Sequence, residues 1–183
     1  MLNSNSKTDK TPLLILYTGD GKGKTSAALG LLFRSLGHLA RCAVIQFIKA
    51  PQVATGEQLL AKKLGLQWEN YGSGFLFTAE DVKRDTPLFA AGWARAQDLM
   101  LNERYDVVIL DEITYVLNNG ALDEQEVLHW LNEFKKRPKR PHVVLTGRNA
   151  SNALIDICDM VNVVEELKHP WKSSIAAQKL IEY

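Results

Sequence analysis

Leu13-Leu14-Ile15-Leu16-Tyr17 is followed directly by Thr18-Gly19-Asp20-Gly21-Lys22-Gly23-Lys24-Thr25 and then by Ser26-Ala27-Ala28-Leu29-Gly30-Leu31-Leu32. An apolar run of strand length, a glycine-rich turn and an apolar-periodic segment predict a strand, a phosphate-binding loop and a helix. Backbone N–H groups of such a loop point at a polyphosphate, and the helix behind it adds the positive end of its dipole. A nucleoside triphosphate is the expected ligand. Gly19, Gly21 and Gly23 are expected to supply positive φ and close backbone approach. Asp20 and Lys22 lie inside the loop and join it as nucleotide-binding candidates. Lys24 is a point charge for the terminal phosphates, and the Thr25 hydroxyl suits Mg²⁺ or Mn²⁺. The usual spacing, G-x-x-x-x-G-K-[ST], is kept only in its second half. Its first glycine position is Thr18, and the glycine comes one residue later, at Gly19. That displacement fits an ordinary kinase or GTPase poorly and predicts a nucleotide held in an uncommon way.

Beyond the loop, apolar strands alternate with helical segments. Strands are expected at Arg41–Ile48, Gln67–Tyr71, Tyr105–Leu110, His142–Thr146 and Met160–Leu167. Helices are expected from Ser26 to Leu36, from a capping box at Thr55-Gly56-Glu57-Gln58 to Gly65, from Thr86-Pro87 to about Asn102, from Asp123 onward, and from Ser151 to Cys158. The alternation predicts an α/β fold, a mostly parallel sheet with helices on both faces. Ligands on such sheets bind beyond the carboxyl ends of the strands. Three strand ends are therefore expected to meet in one crevice: the glycine loop, Asp111-Glu112 and Thr146-Gly147-Arg148.

Val107-Val108-Ile109-Leu110-Asp111-Glu112 has the form of a buried strand delivering a carboxylate to a metal. The plainer reading is a carboxylate that caps a nearby helix. Arg148, just past an apolar strand, has a planar fork suited to two phosphate oxygens; a surface ion pair is its plainer role. Gln46 and Lys49 bracket the end of the second strand. The basic run Lys135-Lys136-Arg137-Pro138-Lys139-Arg140 reads as a cationic helix end and loop. His38, His129, His142 and His169 form no cluster, so neither a zinc site nor a catalytic triad is indicated.

The chain has 183 residues, 46% of them hydrophobic, and a net charge of +1, which predicts one domain with a full core. Residues 1–11 are expected to be a flexible tail, residues 12–183 a single domain, and residues 168–183 a terminal segment packed on it. The near-neutral charge gives no support for nucleic-acid binding. Cys42 and Cys158 lack metal-ligand spacing and read as reduced, buried thiols. With no membrane span or signal pattern, a cytoplasmic location is expected.

The segments TGDGKGKTSAALG (18–30), VIQFIKA (44–50), TGE (55–57), GSGFLF (72–77), VVILDEITYVL (107–117) and TGRNA (146–150), with KHPW and AAQKLIEY near the end, together resemble one family. It is the P-loop, class I ATP:cob(I)alamin or corrinoid adenosyltransferases. The likeness runs through nearly the whole chain after Thr11, and the displaced glycine is itself a mark of the family. It implies a RecA-like P-loop NTPase fold, a homodimer, and transfer of the 5′-deoxyadenosyl group of ATP to Co(I) of a corrinoid with triphosphate as leaving group. It also implies a nucleotide lying reversed in the loop and a flavoprotein electron donor. By this resemblance Lys24, Arg148 and Glu112 are catalytic candidates, and Thr25, Asp111 and Glu112 are metal or ribose ligands. Phe75 and Phe77 match two aromatic positions that wall off the corrinoid's lower face. Phe77 stands where the family commonly has Trp. From the residues alone, a P-loop ATPase or kinase and a non-catalytic nucleotide- or corrinoid-binding protein stay open.

Overall fold

Successive residues of a strand face opposite sides of a sheet, and the apolar runs use both sides. In the computed structural model, which describes residues 11–49, 55–74, 78–102 and 104–181, the strands are β1 (Leu14–Thr18), β2 (Cys42–Phe47), β3 (Gln67–Tyr71), β4 (Val107–Asp111), β5 (His142–Thr146) and β6 (Met160–Val163). They form one sheet in the order β3-β2-β4-β5-β1-β6, and every pairing is parallel. The helices are α1 (Lys24–Gly37), α2 (Gly56–Leu64), α3 (Ala79–Leu101), α4 (Ile113–Asn118), α5 (Glu124–Lys135) and α6 (Asn152–Ile157).

Leu14, Leu16, Ala43, Ile45, Phe47, Val108, Leu110, Val143 and Leu145 pack on one side of the sheet with residues of α3, α4, α5 and α6. Ile15, Cys42, Val44, Val107, Ile109 and Val144 pack on the other with Ala28 and Leu32 of α1. This is the expected α/β architecture, a RecA-like P-loop fold with helices on both faces. Among the described residues, no helix is long and apolar enough to cross a membrane.

Four local expectations need correction. The third helix starts at Ala79, so Pro87 is its ninth residue rather than its opening. Thr78 and Asp81 form a reciprocal capping box that starts the helix earlier. Pro87 inside a helix costs about 3 kcal/mol. The buried stripe Asp85, Phe89, Gly92, Ala96, Leu99 outweighs it, because its alternating four- and three-residue spacing keeps one face against the core. The expected cap at Thr55 does not form: Gln58 instead donates to Gln46, and the buried Thr55 hydroxyl makes no hydrogen bond. The last strand ends at Val163, and α4, directly after Glu112, has no counterpart in the expected elements. Six residues are too short a run for helical periodicity to register.

Asp85 ties the segment after β3 to α3. Its fully buried carboxylate accepts from the Ser73 amide (3.0 Å), from the Ser73 hydroxyl (2.8 and 2.9 Å) and from Arg84 Nε (2.8 Å). Burial alone would raise this carboxyl, but the hydrogen bonds from Arg84 and Ser73 outweigh it and hold it below the usual value. Asp85→Ala is expected to lower stability by about 1–3 kcal/mol. A folded-state value below the unfolded one gives stability that is present above the unfolded value, about pH 4, and lost as pH falls through the folded one. Denaturant unfolding at several pH values checks this: the wild-type advantage should be constant above about pH 4 and shrink below it.

Candidate active site

The face of the sheet that packs on α1 ends in polar residues. By strand parity Gln46, Asp111 and Thr146 continue the rows Cys42-Val44, Val107-Ile109 and Val144 at the carboxyl ends of β2, β4 and β5, which are neighbours. Gln46 and Asp111 are partners in the register. All three are buried. Three donors converge on the Asp111 carboxylate. Thr25 Oγ1 donates to Oδ1 at 2.9 Å, Thr146 Oγ1 donates to the same oxygen at 2.7 Å, and Gln46 Nε2 donates to Oδ2 at 2.8 Å. Thr146 Oγ1 also accepts the Glu112 amide at 2.9 Å. The three strand ends expected to converge are thus hydrogen-bonded to one another through Asp111 and Thr146.

Lys24 is 6% exposed and donates to the carbonyls of Gly19 and Gly21, both at 2.7 Å. Its ammonium sits inside the loop, and burial lowers its pKa while Glu112 pulls the other way. Gly19 and Gly23 take positive φ (98° and 116°) as expected; Gly21 does not. Gly21 is needed for space, since a Cβ there would lie 2.5 Å from the Glu165 carbonyl oxygen. The Gly21 amide donates to Val164 O at 2.8 Å, so the segment after β6 occupies one loop N–H that the sequence pattern assigns to phosphate. Thr18, at the missing-glycine position, has a buried hydroxyl that accepts the Ala150 amide at 3.3 Å and so ties the loop to the Arg148 turn.

The Arg148 turn is held by α4. Thr114 Oγ1 and Asn118 Nδ2 both donate to Arg148 O, at 2.7 and 3.0 Å. Gly147 has φ 140°, and a Cβ there would meet Thr114 Oγ1 at 2.0 Å, so no side chain fits. Arg148 itself is exposed. Together with Asp20, Gly19, Glu165, Glu166 and Lys172 it lines a cleft of about 510 Å³. Glu112 is half-buried at the start of α4 with φ 61°. Burial raises its carboxyl, Asp111 adds to the rise, and Lys24, Lys49 and Arg148 oppose it.

Phe75 and Phe77 lie outside the described residues. Lys22 is exposed in the loop. Lys49 pairs with Glu57 at 3.3 Å. Lys135 of the basic run is structural: it donates to Ile157 O and Asp159 Oδ1. Both cysteines are free, and burial pushes their thiols to about 11 (Cys42) and about 12 (Cys158), values of unreactive groups. A larger cavity of about 930 Å³ opens at the amino ends of the strands, beside Arg34, His38 and His142, and none of the candidate site residues lines it.

A displaced glycine loop on β1, an acid ending a strand that is not its neighbour, and a shared hydroxyl junction define a protein of the RecA-like P-loop class. The profile of one family, described as ATP:corrinoid adenosyltransferase BtuR/CobO/CobP, matches residues 10–183. A corrinoid adenosyltransferase of Sinorhizobium is 42% identical over 181 residues, spanning 97% of this chain and 83% of that protein. Corrinoid adenosyltransferases of Pseudomonas aeruginosa and Escherichia coli K12 are 34% and 33% identical, each over 96% of this chain and over 85% and 87% of their own lengths. The chain belongs to the ATP:corrinoid adenosyltransferase family and is a transferase.

Proposed function

We propose that the enzyme joins the C5′ carbon of ATP to Co(I) of a reduced corrinoid, with the polyphosphate leaving as intact triphosphate. The electron pair of Co(I) forms the Co–C bond, and the C5′–O bond breaks with its pair going to triphosphate. Cobalt is itself the nucleophile, so the protein needs no side-chain nucleophile or general base. Its tasks are to hold cobalt and C5′ in line and to stabilise charge growing on the leaving group. Lys24, Arg148 and the N–H groups of Lys22 to Thr25 suit the second task. The observation that carries this reading is the junction of Thr25, Asp111 and Thr146 beneath the loop, in a chain of this family. A triphosphate gripped there presents its ribose end outward.

The donor set fits a hard divalent cation. Asp111 and the Thr25 hydroxyl oxygen would hold it. The Thr25 proton goes to Asp111 at 2.9 Å, which leaves its lone pairs free to face a cation. Among the described residues, no group of three or more His, Cys, Asp or Glu side chains could hold a metal alone. Such a site matches Mg²⁺ or Mn²⁺, which complete their shell with phosphate oxygens and water. The cation supplies charge stabilisation for the leaving triphosphate. Glu112 is assigned to the ribose or to metal-bound water, and Phe75 with Phe77 to the apolar wall against the corrinoid.

The same reading takes a cytoplasmic homodimer over residues 12–183 as the working form and a reduced flavoprotein as electron source, both carried over from the family resemblance of the sequence. The test is to mix protein, ATP, Mg²⁺ and chemically reduced cobalamin and follow absorbance. A light-sensitive Co–C product is expected; a folded protein that yields none would sink the proposal.

A further inference from the structure

A glutamine inside an apolar strand needs a reason. Gln46 is fully buried between Ile45 and Phe47, and an unpaired buried amide would cost folding free energy. Its amide is fully directed. Nε2 donates to Asp111 Oδ2 at 2.8 Å, while Oε1 accepts from Gln58 Nε2 at 3.2 Å and from Asn70 Nδ2 at 3.4 Å. Flipping the amide would set its oxygen against a carboxylate and its NH₂ against two donors, so a single orientation is compatible with these partners. Asn70, Gln46 and Asp111 are successive register partners on β3, β2 and β4, so the polar row crosses the end of the sheet.

The consequence falls on Asp111. Oδ1 accepts two hydroxyls, from Thr25 and Thr146, and among these partners Gln46 is the sole donor to Oδ2. A carboxylate has about four lone-pair positions. Three are taken by these donors, and the fourth, on Oδ2, is the one left for a cation. The two hydroxyls hold Oδ1 and Gln46 holds Oδ2, so a turn about the Cβ–Cγ bond strains hydrogen bonds at both oxygens, and only the Gln46 bond acts on the oxygen left for the cation.

We infer that Gln46 is a positioning residue, braced by Gln58 and Asn70, that holds Oδ2 of the Asp111 carboxylate in place for the divalent cation of the nucleotide complex. This rests on the metal role given to Asp111 above. Gln46 is given no contact with nucleotide or corrinoid, so its effect on the cation passes through Asp111. Loss of an outer partner of a metal ligand typically weakens metal binding by about 10–100-fold.

The test compares ATP dissociation constants in EDTA and in saturating Mn²⁺. Their ratio measures how strongly the protein prefers the metal complex, and a structural defect alone would not move it. Gln46→Met, which keeps length and removes both amide groups, should leave the EDTA value within about twofold and lower the ratio about tenfold or more. Gln58→Leu, at a half-buried position on α2, should lower it in the same direction by less. It carries the test if Gln46→Met fails to fold. An unchanged ratio, or an equal loss of affinity with and without metal, overturns the inference. If the wild-type protein itself shows no Mn²⁺ enhancement, the metal role of Asp111 fails and the inference falls with it; if only the variants match wild type, the inference alone falls.

Discussion

Lys24→Ala should weaken ATP binding by about 10²–10³-fold, in line with the loss of one preorganised charged donor from a phosphate-stabilising site. Lys24 is 6% exposed and its ammonium sits between the carbonyls of Gly19 and Gly21, so the alanine variant loses the brace that keeps the loop curled together with the phosphate contact proposed for it. At 6% exposure the residue is only partly screened by water, which would strengthen its pull on a phosphate bound there. The folding penalty is smaller, about 1–3 kcal/mol for the two lost hydrogen bonds. Calorimetric titration with ATP, beside a thermal melt, separates the two effects. Unchanged ATP affinity in a folded variant would contradict the role given to Lys24.

Asp111→Asn should reduce adenosyl transfer by about 10²–10³-fold while leaving most of the fold intact. The amide oxygen can stay opposite the hydroxyls of Thr25 and Thr146, but the amide NH₂ then faces the Nε2 donor of Gln46. One buried donor is left without a partner, at a cost of about 1–3 kcal/mol. The negative charge that would hold the cation is also gone. Metal-stimulated turnover should therefore fall far more than ATP binding in EDTA. Turnover close to wild type would remove Asp111 from the site.

Much of this was legible because the relevant signals are local. The glycine loop, the apolar strand ending in Asp111, and the turn at Thr146-Gly147-Arg148 each announce a strand end, and parallel topology brings such ends to one edge. What stayed hidden depends on contacts between distant segments. Gln46 looks like one polar residue in an apolar run until Asp111 is placed beside it in register. Thr114 and Asn118 hold the Arg148 carbonyl from a helix only six residues long. The spatial need for Gly21 arises from Glu165, far along the chain. Thr86-Pro87 misled because proline at a first helical turn is common, whereas the capping box at Thr78 uses Asp81 where Glu or Gln is the usual partner.

In the proposed reaction the bond broken lies at C5′ and not at phosphorus. ³¹P spectroscopy of the reaction mixture, with ATP, Mg²⁺ and reduced cobalamin present, tests it directly. One inorganic triphosphate is expected for each Co–C bond formed, and none without corrinoid. ADP with phosphate, or phosphate release without any corrinoid, would mark an ordinary P-loop ATPase or kinase and contradict it.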